Sequence, residues 1–468
     1  MTFPYQAFAK EKMPALLADL KALIAIDSVR NMDLATPEFP VGPGPVKALE
    51  QFLAYGRRDG FQTENIDNYT GTITFGQGDQ ELGVAVHVDV VPPDEGWSQD
   101  PFKPYVKNDR VYGRGASDNK GPALAAYYAL LALKEAGFKP RKKITLIIGT
   151  DEETDWVGMK YYLKKRPAPD WVFSPDSSFP IVTGQAGLAV LKTSFTGEEA
   201  DGGLVLESFS AGQATNMVPA AATAVVSGRG IAAAAAAYPA FLAKNGLTGQ
   251  AESQADRLTL TLEGVSAHAS IPWAGKNGAC LLASFLKDFA FAGRAKAFLT
   301  FAGESELNDF YGERIGIANT DPEMGRSINC PAVFRYQKSG AAYIKSDIRY
   351  SRGSSPEKMC QQLSERFGAF CQTAFQPYED FEKPHFVPES DPFVQTLLGV
   401  YEKQTGQAGK TIISAGANYG RFFKNGVGYG PAFPGSQDYA HAIDESVSLA
   451  ELEQSLAIYA EAIYELTK

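Results

Sequence analysis

Apolar residues along this chain recur in two alternating patterns. Continuous apolar runs at residues 82–86 and 144–148 are flanked by segments with helical apolar spacing, such as residues 13–26 and 123–136. A continuous apolar run between helical segments is typical of a strand that both faces of a parallel sheet bury. The pattern therefore predicts an α/β fold whose mixed, largely parallel sheet lies between helices.

The middle of the chain follows a different pattern. Leucine and threonine alternate at residues 258–262, as in a strand with one buried face, and residues 231–244 form an alanine-rich helical segment. Near the C-terminal end, Ser448 and Glu451 form a capping box ahead of an apolar helical stripe. These patterns predict a separate domain inserted into the α/β domain, with the last helix packing back on the first part.

Two adjacent acidic residues, Glu152 and Glu153, follow the apolar run at residues 144–148. Side chains at the carboxyl end of a strand in an open α/β sheet face the crevice where such sheets bind ligands. Two carboxylates repel each other there, and the repulsion is tolerable if one binds a cation while the other serves as a base. The pair therefore predicts a metal site whose remaining ligands lie elsewhere in the sequence.

Other candidate ligands close their own apolar segments. His87 ends the run at residues 82–86, and Asp89 lies on the same side of an extended chain, where it can fix the imidazole tautomer. The predicted metal ligands are His87, Asp118, Glu153, Asp176 and His441. Five ligands exceed the usual three of one catalytic ion but suffice for two ions if Asp118 bridges them. Imidazole and carboxylate ligands suit Zn²⁺, with Mn²⁺ or Co²⁺ as alternatives.

Each candidate taken alone also has a structural interpretation. An isolated histidine more often forms structural hydrogen bonds than binds metal, and an isolated Glu-Glu pair is usually solvated surface. The chain has only four histidines, however, and two of them close strand-end motifs beside carboxylates. The combination is therefore a specific signal for a two-metal site with Glu152 as general base.

With these residues, the chain resembles the two-metal peptidases that include aminoacylase, carboxypeptidase G-type enzymes and succinyl-diaminopimelate desuccinylase. Within that family it is most similar to the Xaa-His, carnosinase-like dipeptidases, and the similarity covers nearly the whole chain. The segments that carry this closer similarity are residues 40–45, 58–61, 149–156, 173–176 and 459–464. The resemblance implies a zinc-peptidase catalytic domain with an inserted α+β lid domain.

The resemblance also implies the domain limits. The catalytic domain is expected at residues 1–183 and 380–468, and the lid at residues 184–379. The lid is enlarged in this branch of the family and fills the space of a partner subunit, so a monomer is expected. The peptide bond after Asp118 is expected to be cis, as in the family.

Several substrate-binding residues are likewise carried over from the resemblance. His268, in Gly264-Val265-Ser266-Ala267-His268-Ala269-Ser270, is expected to donate to the oxyanion. Asn216 and Arg349 are expected to hold the C-terminal carboxylate of the substrate. Gly416 lies where backbone approaches the substrate, but its neighbours Ala415, Ala417 and Asn418 depart from the family's Gly-Gly-Gly-Thr. Substrate preference is therefore less determined than catalysis.

Three functions compete at this point. The first is a dipeptidase that cleaves short peptides with a free C-terminus, and the second is a deacylase of N-acyl amino acids that uses the same site. Both require Arg349, but only the dipeptidase must also accept an ammonium group. The third, a non-catalytic binding module, conflicts with the presence of every ligand and of Glu152.

Composition excludes some other classes of protein. The 468 residues carry a formal net charge of −10, and their basic residues are scattered, so nucleic acid is an unexpected partner. No apolar stretch approaches the roughly 18 residues of a membrane span, and no signal peptide is apparent, so we expect a soluble cytoplasmic enzyme without a membrane partner. Its four cysteines show no CxxC pairing and are expected to be reduced thiols.

Overall fold

The computed structural model describes residues 3–198, 203–377, 382–437 and 439–468. The chain divides into two compact units. Unit 1 comprises Met1–Gly184 and Phe386–Lys468, and unit 2 comprises Gln185–His385. Among the described residues, no helix is both long and apolar enough to cross a membrane.

Unit 1 is an α/β structure. Its helices are α1 (Tyr5–Ile24), α2 (Pro43–Arg58), α3 (Lys120–Glu135), α4 (Val157–Lys165), α9 (Pro392–Thr405) and α10 (Leu449–Thr467). Its strands are β1 (Gln62–Ile66), β2 (Thr70–Phe75), β3 (Glu81–His87), β4 (Tyr105–Lys107), β5 (Arg110–Tyr112), β6 (Lys143–Gly149), β7 (Trp171–Ser174), β8 (Ser177–Ser178), β9 (Ile181–Gln185), β21 (Thr411–Ser414), β22 (Gly426–Gly428), β23 (Pro431–Ala432) and β24 (Ser446–Ser448). The chain leaves unit 1 after β9 and returns through β20 (His385–Phe386).

The main sheet of unit 1 is parallel in its centre and antiparallel at its flanks. Its strand order is β1-β2-β6-β3-β7-β22-β9-β20, and β21 also pairs with β9. Strands β6, β3, β7 and β22 run parallel, whereas β2 pairs with β6 and β22 with β9 in the antiparallel sense. The expected mixed sheet between helices is confirmed, with the parallel pairing confined to the middle strands.

Both faces of the central strands are buried. Ile144, Leu146 and Ile148 of β6 join the core formed with α1, α3 and α10, while Ile147 faces a second cluster that includes Met159 of α4. This two-sided burial explains why the strand is a continuous apolar run instead of an alternating one.

Two helix boundaries refine the sequence predictions. Helix α1 begins at Tyr5, eight residues before the predicted start, because Tyr5 and Ala9 continue its buried face. Helix α10 begins after Ser448, whose hydroxyl accepts from the N–H of Glu451 at 3.4 Å. The Glu451 carboxylate accepts from the Ser436 hydroxyl, so only the N-cap half of the predicted capping box is confirmed.

A buried lysine ties α3 to the end of α1. Lys120, the first residue of α3, is fully buried, and its ammonium donates to the carbonyls of Leu23 at 3.1 Å and Ile26 at 2.9 Å. The Leu23 carbonyl also accepts from the Ile26 N–H at 3.2 Å, so the ammonium adds a further donor at the C-terminal end of α1. Because Asp118 lies two residues before Lys120, the same contacts also anchor the loop that carries it.

Unit 2 is an α+β structure. Its helices are α5 (Ile231–Asn245), α6 (Gly278–Leu286), α7 (Gly293–Thr300) and α8 (Pro356–Phe367). Its strands are β10 (Gly187–Phe195), β11 (Leu204–Ala211), β12 (Ala221–Gly228), β13 (Thr248–Gln254), β14 (Arg257–Glu263), β15 (Thr320–Asp321), β16 (Gly325–Arg326), β17 (Ile328–Gln337), β18 (Ala342–Tyr350) and β19 (Cys371–Phe375). An antiparallel sheet, in the order β13-β14-β12-β11-β17-β18-β10-β19, packs one face against the helices, which explains the alternating leucines of β14.

An acidic side chain, Glu306, lies inside unit 2. It is 3% exposed and accepts a hydrogen bond from the Asn329 amide at 2.6 Å. Burial, assisted by the Asp309 carboxylate, raises the pKa of Glu306 to about 8. Glu306 is therefore protonated in the folded protein at neutral pH, whereas an unfolded chain ionises it near 4.5.

This difference predicts a pH-dependent stability. Between pH 4.5 and 8, the unfolded chain has released the Glu306 proton and the folded chain has not, so the free energy of unfolding falls as pH rises. We expect Glu306→Gln to flatten this fall and to raise the melting temperature of unit 2 at pH 8. Calorimetry of the metal-free protein from pH 5 to 8 measures the effect, with exposed Glu304→Gln as the control. Parallel pH profiles for wild type and Glu306→Gln would contradict the prediction.

Candidate active site

Three neighbouring parallel strands bring candidate ligands to one edge of the unit 1 sheet. His87 is the last residue of β3 and stands opposite Gly149, the last residue of β6, in the strand register. Glu152 and Glu153 follow β6, and Asp176 follows β7, which pairs with β3 on its other side. Parallel strands end at the same sheet edge, so chemistry far apart in sequence converges there.

Asp118 approaches this edge from the loop before α3. The peptide bond between Asp118 and Asn119 is cis, as expected. Asn119 is fully buried, and its amide donates to the Pro175 carbonyl at 2.6 Å. This hydrogen bond joins the Asp118 loop to the segment that carries Asp176.

The candidate ligands come together as two overlapping groups. Ligand atoms of His87, Glu152 and Asp176 lie within 4.8 Å of one another, as do those of His87, Asp118 and Glu153. His441 joins the second group, because its Nε2 lies 3.2 Å from Asp118 Oδ2 and 3.0 Å from Glu153 Oε2. All five predicted ligands and Glu152 are thus neighbours.

Asp89 supports two members of the cluster. The Nδ1 atom of His87 lies 3.1 Å from the Asp89 carbonyl oxygen and 3.4 Å from its carboxylate Oδ1. The other carboxylate oxygen accepts from the Glu153 N–H at 3.1 Å. A hydrogen at His87 Nδ1 is therefore accepted by the Asp89 carbonyl oxygen, which leaves Nε2 toward the cluster.

The electrostatics of the cluster reflect an excess of buried negative charge. Burial first, and the Asp118 carboxylate second, raise the pKa of Glu153 to about 7 and that of Asp176 to about 8. Burial and the Asp176 carboxylate raise the pKa of Glu152 well above its usual value. The cluster therefore disfavours full ionisation of its acids without additional positive charge.

The pKa values of the two histidines are also raised, which favours their positively charged forms. Hydrogen bonds to Asp118 and Glu153 raise the pKa of His441 to about 11. Burial alone would lower the pKa of His87, but its hydrogen bonds to Asp118 and Asp89 outweigh that effect and raise it. The same imidazoles hold the pKa of Asp118 below its ordinary value, against the opposing effect of burial.

A divalent cation fits this cluster. Its donors are imidazole nitrogens and carboxylate oxygens, a set that suits Zn²⁺, Mn²⁺ or Co²⁺. Glu152 Oε1 is buried and has no hydrogen-bond partner among the described residues, although it lies beside the ligand groups. A cation would also supply the positive charge that the crowded carboxylates require.

Sequence reasoning missed residues that support the cluster from the segment at 418–421. The Asn418 amide donates to the Asp176 carbonyl at 2.8 Å, and the Tyr419 ring meets the His87 imidazole edge-on at 6.3 Å. Gly149 permits this packing, because a Cβ atom there would overlap the Tyr419 hydroxyl. In the sequence, Asn418 stands out only as a departure from the family pattern, and nothing local to it signals a contact with Asp176.

Arg30 is a further residue that sequence reasoning missed. Its Nη1 lies 3.1 Å from Asp151 Oδ1 and 2.7 Å from Asp155 Oδ2, and it donates to the Thr154 hydroxyl at 2.6 Å. These contacts enclose the loop that carries Glu152 and Glu153. The signal was absent because Arg30 is more than 120 positions away in sequence.

In unit 2, two predicted substrate-binding residues lie on adjoining loops. Met217 and His268 form an isolated antiparallel bridge, and the Asn216 carbonyl accepts from the Ala269 N–H at 2.8 Å. The Nδ1 atom of His268 accepts from the Ser270 N–H at 3.2 Å. A hydrogen on the opposite nitrogen, Nε2, is consistent with the donor role that was expected for His268.

Arg349 is placed by its own strand neighbour. Both Arg349 and Asp347 lie on β18, and the guanidinium donates twice to the Asp347 carboxylate, at 2.6 and 3.0 Å. A bidentate pair of this kind fixes the plane of the guanidinium. Gly416, in unit 1, follows β21, and its N–H donates to the Ser414 hydroxyl at 2.9 Å.

Comparison with known proteins defines the class of this protein. The model of the peptidase family M20/M25/M40 matches residues 83–465, so the chain belongs to that family. It is therefore a hydrolase of the metallopeptidase class, and the family implies divalent metal ions. The resemblance inferred from the strand-end motifs is confirmed.

Relatives match along the whole chain. The sequence is 48% identical over 469 residues to a β-Ala-Xaa dipeptidase of Lactobacillus delbrueckii subsp. lactis, covering 100% of this chain and 99% of that protein. Human carnosine dipeptidase 1 shares the fold with a TM-score of 0.58 at 13% identity, over 99% of this chain and 98% of that one. The aminoacylhistidine dipeptidase of Vibrio alginolyticus matches with a TM-score of 0.56 at 16% identity, over 97% and 96% of the two chains.

The cluster predicts metal binding that depends on its central carboxylate. Asp118 contacts both His87 and His441, so Asp118→Ala should lose activity and at least one divalent ion per chain. Elemental analysis of purified wild type and variant measures the loss, and Asp288→Asn, at an exposed carboxylate of unit 2, serves as the control. A wild-type protein that is fully active without metal would refute the metal centre.

Proposed function

We propose that the protein is a metal-dependent dipeptidase that hydrolyses dipeptides with a free C-terminus. The observation that carries this proposal is the convergence of His87, Asp118, Glu153, Asp176 and His441 around the buried carboxylate of Glu152. The β-Ala-Xaa dipeptidase that is 48% identical over the full length supports dipeptides as the substrate class.

In this proposal, His87, Asp118, Glu153, Asp176 and His441 would hold two divalent ions, with Zn²⁺ preferred and Asp118 as the ligand common to both. His87 Nε2 lies 3.0 Å from Asp118 Oδ1 and 3.6 Å from Asp176 Oδ2. His441 Nε2 lies beside the other Asp118 oxygen and beside Glu153 Oε2. When bound, divalent ions lower the pKa of a coordinated water and polarise a carbonyl oxygen. Asp89 orients the imidazole of His87 and the backbone at Glu153.

Glu152 is the proposed general base. Its Oε1 atom, without a partner among the described residues, is available to take a proton from the attacking water. The same carboxyl then returns the proton to the amine that leaves the broken peptide bond. Because Glu152 is buried in a site of low dielectric, its electrostatic interactions with the water and with the leaving amine are stronger than in solvent.

Unit 2 is proposed to act as the lid domain, near the limits 184–379 that were expected from sequence. His268 would donate from Nε2 to the negative oxygen that develops at the peptide carbonyl. Arg349, held in plane by Asp347, and Asn216 would bind the substrate carboxylate. The backbone at Gly416 would contact the substrate, and the methyl groups of Ala415 and Ala417 would narrow the space beside it.

The substrate class is tested by comparing three compounds. A β-Ala-Xaa dipeptide, an Ala-Xaa dipeptide with the same second residue and the corresponding N-acetyl amino acid differ only at the N-terminal side. Preferential hydrolysis of the two dipeptides supports the dipeptidase. Preference for the N-acetyl compound would assign the protein to the deacylases instead.

We also propose that the enzyme is a cytoplasmic monomer. The cysteines Cys280, Cys330, Cys360 and Cys371 are free thiols, which suits a reducing compartment. Analytical ultracentrifugation at micromolar concentration tests the monomer, and a dimer mass would overturn it.

The role of Glu152 predicts separate effects on metal content and turnover. Glu152→Gln should retain the ions and lose about 10²–10⁴ in kcat, as expected for removal of a positioned base. Glu153→Gln is the matched comparison, because the neighbouring carboxylate is a proposed ligand and its loss should lower metal content as well. Turnover near wild type in Glu152→Gln would assign the base elsewhere.

The lid residues predict different kinetic signatures. His268→Ala should lower kcat by about 10²–10³ with little change in KM, because its contact forms in the transition state. Arg349→Met should chiefly raise KM, because the substrate carboxylate is present in both ground and transition states. Arg349→Met also leaves the buried Asp347 carboxylate without its ion-pair partner, which can lower stability. The double variant Arg349→Met with Asp347→Asn removes that unpaired charge, so a KM that stays raised in it reports lost substrate binding.

An amidated dipeptide provides the control for Arg349. It should be a poor substrate for the wild type and little worse for Arg349→Met. The amide carries no carboxylate for Arg349 to bind, so removing Arg349 costs little more. Equal hydrolysis of amidated and free dipeptides by the wild type would contradict the carboxylate clamp.

A further inference from the structure

Glu445, four residues after His441, lies at the centre of a buried hydrogen-bond network. The side chain is fully buried. Its Oε1 accepts from the Ser117 N–H at 2.9 Å, the Ser117 hydroxyl at 3.0 Å and the Asp118 N–H at 3.0 Å. Its Oε2 accepts from Arg114 at 2.8 Å and from the Gly115 N–H at 3.0 Å. Five donors thus converge on one carboxylate.

All five donors come from a single short loop. This loop, residues 114–118, ends at Asp118, and the last of the five donors is the backbone N–H of Asp118 itself. Hydrogen bonds to an ionised acceptor are about twice as strong as neutral ones, so this carboxylate fixes the backbone from which the Asp118 side chain projects.

The network also extends back to the loop that carries His441. The Gly113 N–H donates to the Glu445 carbonyl at 3.0 Å, and Arg114 Nη2 approaches the His441 carbonyl at 3.5 Å. The Arg114 guanidinium is 5.0 Å from the Trp97 ring centroid, which restricts its position further. The two loops are therefore joined to each other in both directions.

His441 needs such support more than the other ligands. It has a φ of +60°, a left-handed conformation that is uncommon for residues other than glycine, and its side chain is 54% exposed. Little packing around the imidazole itself holds it in place. Its orientation toward Asp118 and Glu153 must be set largely by the backbone of its loop.

We propose that Glu445 is a positioning residue that locks the Asp118 and His441 loops together and so sets the affinity of the metal site they share. The inference rests on the proposed metal centre and deepens it. Glu445 touches neither substrate nor ion in this proposal, because its carboxylate oxygens are taken up by the five donors. Mutation of a residue that orients metal ligands through hydrogen bonds commonly alters metal affinity by about 10–100-fold.

Glu445→Gln is the main test. An amide accepts through only one oxygen, so either the Ser117 and Asp118 N–H groups or the Arg114 and Gly115 groups face an NH₂ donor. We expect Zn²⁺ titration of the metal-free protein to show the weaker of two binding events reduced by about 10–100-fold. Elemental analysis after dialysis should fall from about two ions per chain to about one.

Glu461→Gln is the matched control. Glu461, on α10, is another buried carboxylate of unit 1, and it accepts from Lys403 and Gln404 without contacting either ligand loop. Its replacement should lower the melting temperature of the metal-free protein and leave Zn²⁺ affinity unchanged. A purely structural role for Glu445 would give the same pattern as Glu461.

Ser117→Ala keeps the test decisive if Glu445→Gln fails to fold. It removes one donor to Glu445 without leaving a buried charge unpaired, and it should weaken Zn²⁺ binding by a smaller factor. Wild-type Zn²⁺ affinity in both Ser117→Ala and any folded Glu445→Gln would overturn the positioning role. Absence of Zn²⁺ binding by the wild type would instead overturn the proposed metal centre, so the two failures are distinguishable.

Discussion

The crowding of carboxylates at one edge of the central sheet is the constraint on which the rest of unit 1 depends. Asp118, Glu152, Glu153 and Asp176 approach a single small volume, and two imidazoles face them there among the described residues. Such an arrangement is unstable unless positive charge and fixed donors surround it. The raised pKa values of Glu153 and Asp176 show that their ionised forms are destabilised by burial and by the neighbouring Asp118 carboxylate.

The fold addresses this cost by making the backbone rigid around the cluster. Central strands buried on both faces hold His87 and the start of the Glu152 loop in register, and Lys120 ties the Asp118 loop to α1. Asn119 and Asn418 then join the segments around Asp176. These contacts restrict the backbone around Asp118 and Asp176, which lowers the conformational cost of holding their side chains in one place.

Unit 2 uses a different arrangement for its functional candidates. His268 and Asn216 lie on loops joined by backbone hydrogen bonds, whereas Arg349 is fixed by a carboxylate two residues away on the same strand. In the function proposed for unit 2, neutral donors and a paired cation would suit a substrate that binds and leaves. The strongly charged cluster of unit 1 suits the retention of metal ions.

Local sequence determined much of this protein. Apolar runs identified β3 and β6, and the Ser448 cap identified the start of α10. Strand-end motifs identified the five candidate ligands and Glu152, because these features depend on neighbouring residues. Tertiary structure alone decided the antiparallel flanks of the main sheet, the contact of Asn418 with Asp176 and the convergence of five donors on Glu445. Those partners are tens to hundreds of residues apart, and a single carboxylate or amide carries no local pattern that reveals what it will meet. A sequence can show which groups are suited to a site, but only the packed chain determines which of them share it.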